Sequence, residues 1–258
     1  MNLSDKKFYE KNGYLIVKNV FSKTEVTSIK KLLEKHTTDE YNNILNPDRF
    51  DFLMAQSYEK LSTTQSIRDK IDYIQSCKDT STEIRKLLKD RRIVSRIEHL
   101  YSNKFVGLST HMIWKKPNTL FSKQAWSPHQ DNSYAKNKNG MLLTINLFLD
   151  DMSVNNGGLY NYKGSHKFGL LNSVSNQSYG NANKPGNECV IPTGCEKNNL
   201  SANAGDLYIQ HGNLVHGSYS NNSENEMRSM YSATYIVEGE EFEAGYNAMR
   251  KVIKLENN

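Results

Sequence analysis

Residues 205–237 read GDLYIQHGNLVHGSYSNNSENEMRSMYSATYIV. Three short runs in this stretch, DLYIQ, LVHGSYS and RSMYSATYIV, are rich in β-branched and aromatic residues, and clusters of Gly, Asn and Ser divide them. Runs of this kind with no helical segment between them predict consecutive antiparallel strands. The same texture reaches back to Phe105, through FVGLSTHMIWKK (105–116), MLLTINLFL (141–149) and GLYNYKG (158–164). Together they predict an antiparallel sandwich or barrel.

The first hundred residues differ. SKTEVTSIKKLLEKH (22–36) opens on Ser22 with Glu25 three positions later, a capping box, and continues with Val26, Ile29, Leu32 and Leu33 at helical spacing. TEIRKLLKDRRIVSRIEHLY (82–101) predicts a second helix, with Ile84, Leu87, Leu88, Val94, Ile97, Leu100 and Tyr101 near one face. A short strand, GYLIVKNV (13–20), precedes the first helix. The expectation is one domain over 1–258: a mostly helical front (1–103) packed on a mainly β core (104–258). The helices would cover one face of a sheet, and the barrel interior would hold a site.

A chain of 258 residues with a formal net charge of +5 is ordinary for a globular protein. The mild basic cluster from Arg85 to Arg96 reads as a charged helix face, and no interleaving of aromatic and basic residues supports nucleic-acid binding. No apolar run approaches the roughly 18 residues that span a bilayer, and the first residues lack a secretory apolar segment. Cys77, Cys189 and Cys195 have no CxxC spacing, which argues against a disulfide framework or a structural zinc cluster. The reading is cytoplasmic.

The chemistry is carried by WSPHQDNSY (126–134). On a strand, His129 and Asp131 at i and i+2 point to the same face and converge. An isolated His-x-Asp pair in a loop is most often plain surface polarity. Here His216, in the later stretch, offers a third ligand. Two histidines and one carboxylate with open positions opposite are the ligand set of non-haem Fe(II) oxygenases. Arg228 follows the polar turn after His216. On an adjacent strand it would stand near His216 and clamp a carboxylate bidentately; otherwise it is a surface ion-pair residue. A metal site with a carboxylate clamp suits an α-keto-acid co-substrate.

SPHQDNSY, then LLTINLFLDDMSVNNGGLYNYKGSHKFGLL, then AGDLYIQHGNLVHGSYSNNSENEMR resemble, in order, the motifs of the phytanoyl-CoA dioxygenase family of Fe(II)/2-oxoglutarate oxygenases. The resemblance spans roughly residues 8 to 237. One departure is Lys163, where the family often has Pro before Gly-Ser-His. The resemblance implies a double-stranded β-helix (jelly-roll, cupin-like) core with flanking helices. It implies His129, Asp131 and His216 as the iron ligands, and Arg228, Ser218 and Lys115 as contacts of 2-oxoglutarate. Fe(II), 2-oxoglutarate and O₂ would be consumed with release of succinate and CO₂, and an unactivated C–H of a small substrate hydroxylated. In related halogenases a small residue replaces the carboxylate ligand; with Asp131 present, hydroxylation is the expected outcome.

The remaining histidines divide. His166 and His211 read as structural, His111 as a pocket or core residue, and His36 and His99 as solvated. Trp126 is a candidate pocket wall. Substrate specificity is expected in the long polar segments Tyr41–Lys78 and Asn172–Asn203, with Arg49, Asn132 and Tyr134 as candidate contacts. They favour a small polar substrate, such as a phosphonate or an amino-acid-derived or other natural-product metabolite. The competing readings are a non-catalytic, cupin-like metal sensor and a nucleic-acid demethylase on the same core. Oligomeric state has no sequence signature.

Overall fold

The computed structural model describes residues 3–42, 52–55, 71–76, 82–117, 125–173, 188–244 and 250–255. The helices are α1 (Leu3–Asn12), α2 (Lys23–Asn42), α3 (Thr82–Leu88), α4 (Arg91–Tyr101) and the single-turn α5 (Asn132–Ala135). The strands are β1 (Tyr14–Val17), β2 (Phe52–Ala55), β3 (Ile71–Ser76), β4 (Phe105–Lys115), β5 (Trp126–His129), β6 (Leu142–Phe148), β7 (Leu159–Tyr162), β8 (Lys197–Asn199), β9 (Leu207–His211), β10 (His216–Ser218), β11 (Arg228–Val237) and β12 (Ile253–Lys254).

The strands form two antiparallel sheets. The major sheet runs β1-β9-β6-β11-β4-β3-β2, with β12 also on β4; the minor sheet runs β5-β10-β7-β8. The two face each other as a double-stranded β-helix. Polar side chains bridge them: Lys115 Nζ on β4 donates to Ser218 Oγ on β10 at 3.1 Å, and Asn161 Nδ2 on β7 donates to Tyr208 OH on β9 at 3.0 Å.

Alternation gives the major sheet two different faces. One carries Met112 and Trp114 of β4, Leu143, Ile145 and Leu147 of β6, Leu207 and Ile209 of β9, and Tyr231, Ala233 and Tyr235 of β11. These pack in one core with Val26 and Leu33 of α2 and Ile84, Leu88, Ile93, Ile97 and Leu100 of α3 and α4. Each such aliphatic side chain contributes about 1.5–3 kcal/mol on full burial.

The other face lines the barrel in rows that the register sets. Gln210, Thr144, Thr234 and Ser109 lie side by side across β9, β6, β11 and β4. The next row is Tyr208, Asn146, Ser232 and His111, and the row after it Phe148, Met230 and Ile113. Arg228 and Lys115 close that end. At the opposite end an apolar cluster of Val106, Leu108, Leu142, Ile236 and Ala135 fills the barrel, with Phe242 packed on it.

Local expectations hold in part. The capping box forms at α2, where Ser22 N donates to Glu25 Oε2 at 2.8 Å and Glu25 N to Ser22 Oγ at 3.3 Å. The 82–101 stretch, however, is two helices. Asp90 adopts φ −56°, ψ 123° and accepts from Arg92 N, so it caps α4 and ends α3. The front is also less helical than expected, because β2 and β3 join the expected β1 in the major sheet. The basic run is partly consumed internally: Arg92 pairs with Asp90 at 2.8 Å and Glu25 at 2.7 Å and stacks on Phe21.

Candidate active site

His129 ends β5, and His216 begins β10 directly opposite it in the ladder. Their rings are 4.4 Å apart. Asp131 is not on a strand. It sits at φ −63°, ψ −32° in the turn that opens α5, so the strand geometry expected for His129 and Asp131 does not apply. The turn nevertheless swings its carboxylate back: Asp131 Oδ1 lies 3.5 Å from His216 Nε2 and 3.8 Å from His129 Nε2. The ligand atoms of the three residues all lie within 4.8 Å of one another.

The donor set fits a divalent metal. His129 Nδ1 is 2.8 Å from the Ser127 carbonyl and His216 Nδ1 is 3.0 Å from the Leu214 carbonyl. Each carbonyl selects the tautomer protonated at Nδ1 and leaves the Nε2 lone pair aimed at the site. Burial, followed by the neighbouring His216, pushes His129 down to about 4, so its imidazole is neutral at pH 7. Burial alone would raise the Asp131 carboxyl, but His216 and His129 outweigh it and hold it below its ordinary value. The Asp131 carboxylate and the two Nε2 atoms form the donor set. Gln210 donates through Nε2 to Asp131 Oδ2 at 2.7 Å and lies 3.1 Å from His216 Nε2.

Arg228 reaches the same interior by a route the sequence does not reveal. It is not on a hairpin partner of the His216 strand. β10 belongs to the minor sheet and β11 to the major one, so the turn between them crosses the barrel. Arg228 pairs in register with Lys115, and both are fully buried. Lys115 Nζ donates to Ser218 Oγ and to the Tyr219 carbonyl. Arg228 Nε donates to the Gly157 carbonyl at 3.2 Å, while its Nη1 is buried with no partner among the described residues. Gly157 has φ +86°, and a Cβ there would stand 2.7 Å from Lys115 Cδ, so this position of the NNGGL run requires glycine. Burial, then the Arg228 charge, lowers Lys115 well below its ordinary value; burial lowers Arg228 to about 10. Among the described residues no carboxylate forms an ion pair with either. Asp150 opposes the shift of Arg228 from beyond ion-pair distance, and burying two basic groups with no directly paired carboxylate is costly.

The candidate substrate contacts separate. Tyr134 is partly exposed, with its ring 6.4 Å from that of His129, and Trp126 lies at 6.0 Å. Asn132 is corrected from substrate contact to structural residue. It is fully buried, its amide nitrogen donates to Asn137 O and Asn213 Oδ1, and its side-chain oxygen accepts from Asn137 N, so both donor hydrogens are committed and no surface is exposed to a ligand. Arg49 lies outside the described residues, as do most of Tyr41–Lys78 and part of Asn172–Asn203. His111 faces the barrel with Ser109 Oγ 3.2 Å from its Nε2. His166 and His211 are structural, meeting the Glu10 carbonyl and the Asn213 amide. Gln210 and Gly157 were missed. The signal for Gln210 is an amide sharing a face with Tyr208 in an otherwise apolar strand.

This fold and ligand set define a non-haem iron oxygenase of the jelly-roll class. The phytanoyl-CoA dioxygenase (PhyH) family model matches residues 9–230, and the chain belongs to that family of iron- and 2-oxoglutarate-dependent dioxygenases. A phytanoyl-CoA dioxygenase of Arabidopsis thaliana is 24% identical over 268 residues, covering 90% of this chain and 87% of the relative. Among solved structures, EctD from S. alaskensis with 2-oxoglutarate and 5-hydroxyectoine superposes with a TM-score of 0.66 at 18% identity, covering 92% of this chain and 76% of that one. The α-ketoglutarate-dependent carbocyclase SnoK from nogalamycin biosynthesis gives a TM-score of 0.65 at 18% identity, covering 92% and 84%. No described helix is long and apolar enough to cross a membrane.

Proposed function

We propose that the protein hydroxylates an unactivated C–H bond of a small polar metabolite, with 2-oxoglutarate held between the His129–Asp131–His216 triad and the Arg228–Lys115 pair. The observation that carries this reading is the buried pair Arg228 and Lys115, neither in an ion pair among the described residues and Arg228 Nη1 without a partner, at the end of a barrel whose other wall bears the triad. 2-Oxoglutarate has a chelating keto acid at one end, two methylenes, and a carboxylate at the other. Along the barrel the triad stands beside Gln210, the polar row Tyr208, Asn146, Ser232 and His111 follows, then the apolar Phe148, Met230 and Ile113, and Arg228, Lys115 and Ser218 offer the distal carboxylate its partners at the end. A metal sensor needs no such clamp.

The residues' roles follow from their surroundings. His129, Asp131 and His216 would hold Fe(II), which supplies oxygen activation when bound, and their three positions leave others open for the keto acid and O₂. Arg228 and Lys115 bind and orient the distal carboxylate, and Ser218 adds a hydroxyl contact. Gln210 fixes the second oxygen of Asp131, so that Oδ1 is presented to the metal. Asp131 fills the position that would otherwise admit a halide, which favours hydroxylation. That a structural neighbour is a carbocyclase makes product analysis part of the test. Under anaerobic conditions the Fe(II) protein should develop a visible charge-transfer band on addition of 2-oxoglutarate. In air, succinate release should be stimulated by metabolites from phosphonate, amino-acid-derived and other natural-product classes, with one oxygen atom gained per succinate. Absence of the band, or succinate release that no small polar compound stimulates, would overturn the reading.

A further inference from the structure

Three polar residues stand side by side in the second row of the barrel. Tyr208 of β9 pairs in register with Asn146 of β6, and Asn146 with Ser232 of β11. Side chains directly opposite each other on one face of antiparallel strands are neighbours, with Cβ atoms about 4.5–5.5 Å apart. Tyr208 is fully buried, and Asn146 and Ser232 are each only 3% exposed. Yet the three make almost no hydrogen bonds within the protein. Asn146 and Ser232 make none through their side chains among the described residues. Tyr208 makes one: its oxygen accepts from Asn161 Nδ2 at 3.0 Å. Asn198 Nδ2 donates to Asn161 Oδ1 at 3.3 Å, which holds the Asn161 amide with its nitrogen toward Tyr208. The hydroxyl proton of Tyr208 has no acceptor among the described residues.

The row lies across from the metal ligands. Asn161, the partner of Tyr208, pairs in register with His216. Gln210, on the same face of β9 as Tyr208, bonds Asp131 and lies 3.1 Å from His216 Nε2. The carboxylate clamp is further along the barrel. It begins at Ser218, at the far end of the short strand that His216 opens, where Lys115 donates. A strand rises about 3.3 Å per residue, so the step from His216 to Ser218 is about 7 Å. That is comparable to an extended five-carbon diacid. Burying polar groups without partners is unfavourable, and a barrel wall can pack with apolar residues alone. Three such groups in one row point to a ligand that supplies the missing partners.

We propose that Tyr208, Asn146 and Ser232 form an uncharged donor cradle for the metal-proximal end of 2-oxoglutarate, hydrogen-bonding its C1 carboxylate. The three residues offer two O–H groups and an amide NH₂, and an ionised carboxylate only accepts. With one carboxylate oxygen given to the metal, the lone pairs that remain need donors in a buried site. Hydrogen bonds to a charged acceptor are stronger than those between neutral groups. The cradle therefore orients the keto acid across the triad, while Arg228 and Lys115 hold the far carboxylate. This inference rests on the oxygenase reading above, and its test separates the two.

The test uses the full chain loaded anaerobically with Fe(II) and titrated with 2-oxoglutarate, read by the charge-transfer band. Asn146→Leu keeps the shape without the donors and should raise the dissociation constant about tenfold or more. Asn146→Asp is equal in shape but turns an acceptor toward the carboxylate, and should lose at least as much; a steric role alone would leave it near the wild type. Ser232→Ala and Tyr208→Phe should each weaken binding by a smaller factor, and they decide the matter if the Asn146 variants do not fold. At saturating 2-oxoglutarate the band maximum should move in Asn146→Leu and stay in place in Arg228→Ala, which alters only the distal end. The thermal midpoint of the iron-free protein should not fall in Asn146→Leu, since no hydrogen bond within the protein is removed. Unchanged dissociation constants in the folded variants, an unmoved band maximum in Asn146→Leu, or a lowered thermal midpoint there would each overturn the proposal. Absence of the band in the wild-type protein would instead remove the oxygenase reading, and the cradle with it.

Discussion

Along β6, Leu143, Ile145 and Leu147 enter the helix-side core, while Thr144 and Asn146 between them enter the barrel. The same division holds on β9 between Leu207 or Ile209 and Tyr208 or Gln210, and on β11 between Tyr231 or Ala233 and Ser232. One face of the sheet is chosen for packing and the other for chemistry, residue by residue. The period of two makes this possible, and a slip of one residue would exchange the faces. Substitutions on the barrel face should therefore damage ligand binding with little loss of fold, and those on the helix face the reverse.

The largest effect is expected at the triad. His129→Ala or His216→Ala removes one of three protein ligands, so Fe(II) binding and turnover should be lost while the thermal midpoint stays near that of the wild type. Anaerobic iron titration and a melt on the same sample check this; wild-type turnover in either variant would take the triad out of the mechanism. Arg228→Ala comes next. Truncating one partner of a buried charge pair typically costs about 2–5 kcal/mol, or roughly thirtyfold to several-thousandfold in 2-oxoglutarate affinity. Iron binding should hardly change, and Arg228→Lys should recover only part because an ammonium lacks the fork. An unchanged dissociation constant in Arg228→Ala would sink the clamp.

Neighbouring positions on β6 sharpen the contrast. Leu147→Ala opens a cavity under the helices and should cost about 2–5 kcal/mol in a urea titration, with 2-oxoglutarate affinity intact in the protein that remains folded. Asn146→Ala, on the barrel face, should cost at most about 1 kcal/mol but impair catalysis. If the two variants lost equal stability, the faces would not be divided as described.

Much of this division is legible in the sequence, and the exceptions have physical causes. The strands were readable because Leu143-Thr144-Ile145-Asn146-Leu147 alternates, as does Tyr231 to Tyr235. The triad was readable because few contexts place His-x-Asp and a distant His on the same β core. The path of Arg228 was not. A turn such as NNSENE is compatible with a hairpin or with a crossing between sheets, and only the pairing of β11 with β4 and β6 decides. Asp131 was placed on a strand because Pro128 and His129 do lie on one; nothing local marks the start of α5 two residues later. Asn132 looked like a ligand contact because amides next to metal ligands are polar in either role. Its burial among Asn137 and Asn213 depends on residues 5 and 81 positions away. The break at Asp90 was hidden by unbroken apolar spacing, although an Asp inside a helix pattern is itself a capping signal.

The smallest effect is expected on the helix side, where polar contacts are exposed. Glu25 accepts from the Ser22 backbone N–H, from Arg92 and from the Ser22 hydroxyl, and these in that order draw its carboxyl from 4.5 to about 2. A carboxyl depressed in the folded protein stabilises it above the unfolded value and ceases to do so as pH falls through the folded value. The Glu25 contribution should thus be complete at neutral pH, fade below about 4.5 and be gone near pH 2. Ser22→Ala, which removes the reciprocal hydroxyl, should cost about 1 kcal/mol at pH 7, less than Leu147→Ala. Glu25→Gln should also destabilise at pH 7, but its difference from the wild type should shrink as the solution is acidified. Because the contacts are exposed, added salt should reduce the Arg92 share as well. Neither variant should alter 2-oxoglutarate affinity, since α2 packs through Val26 and Leu33 on the helix-side face of the sheet. A pH-independent difference between Glu25→Gln and the wild type would show that Glu25 acts through packing, and would weaken the assignment of charge to the outside of the helix layer.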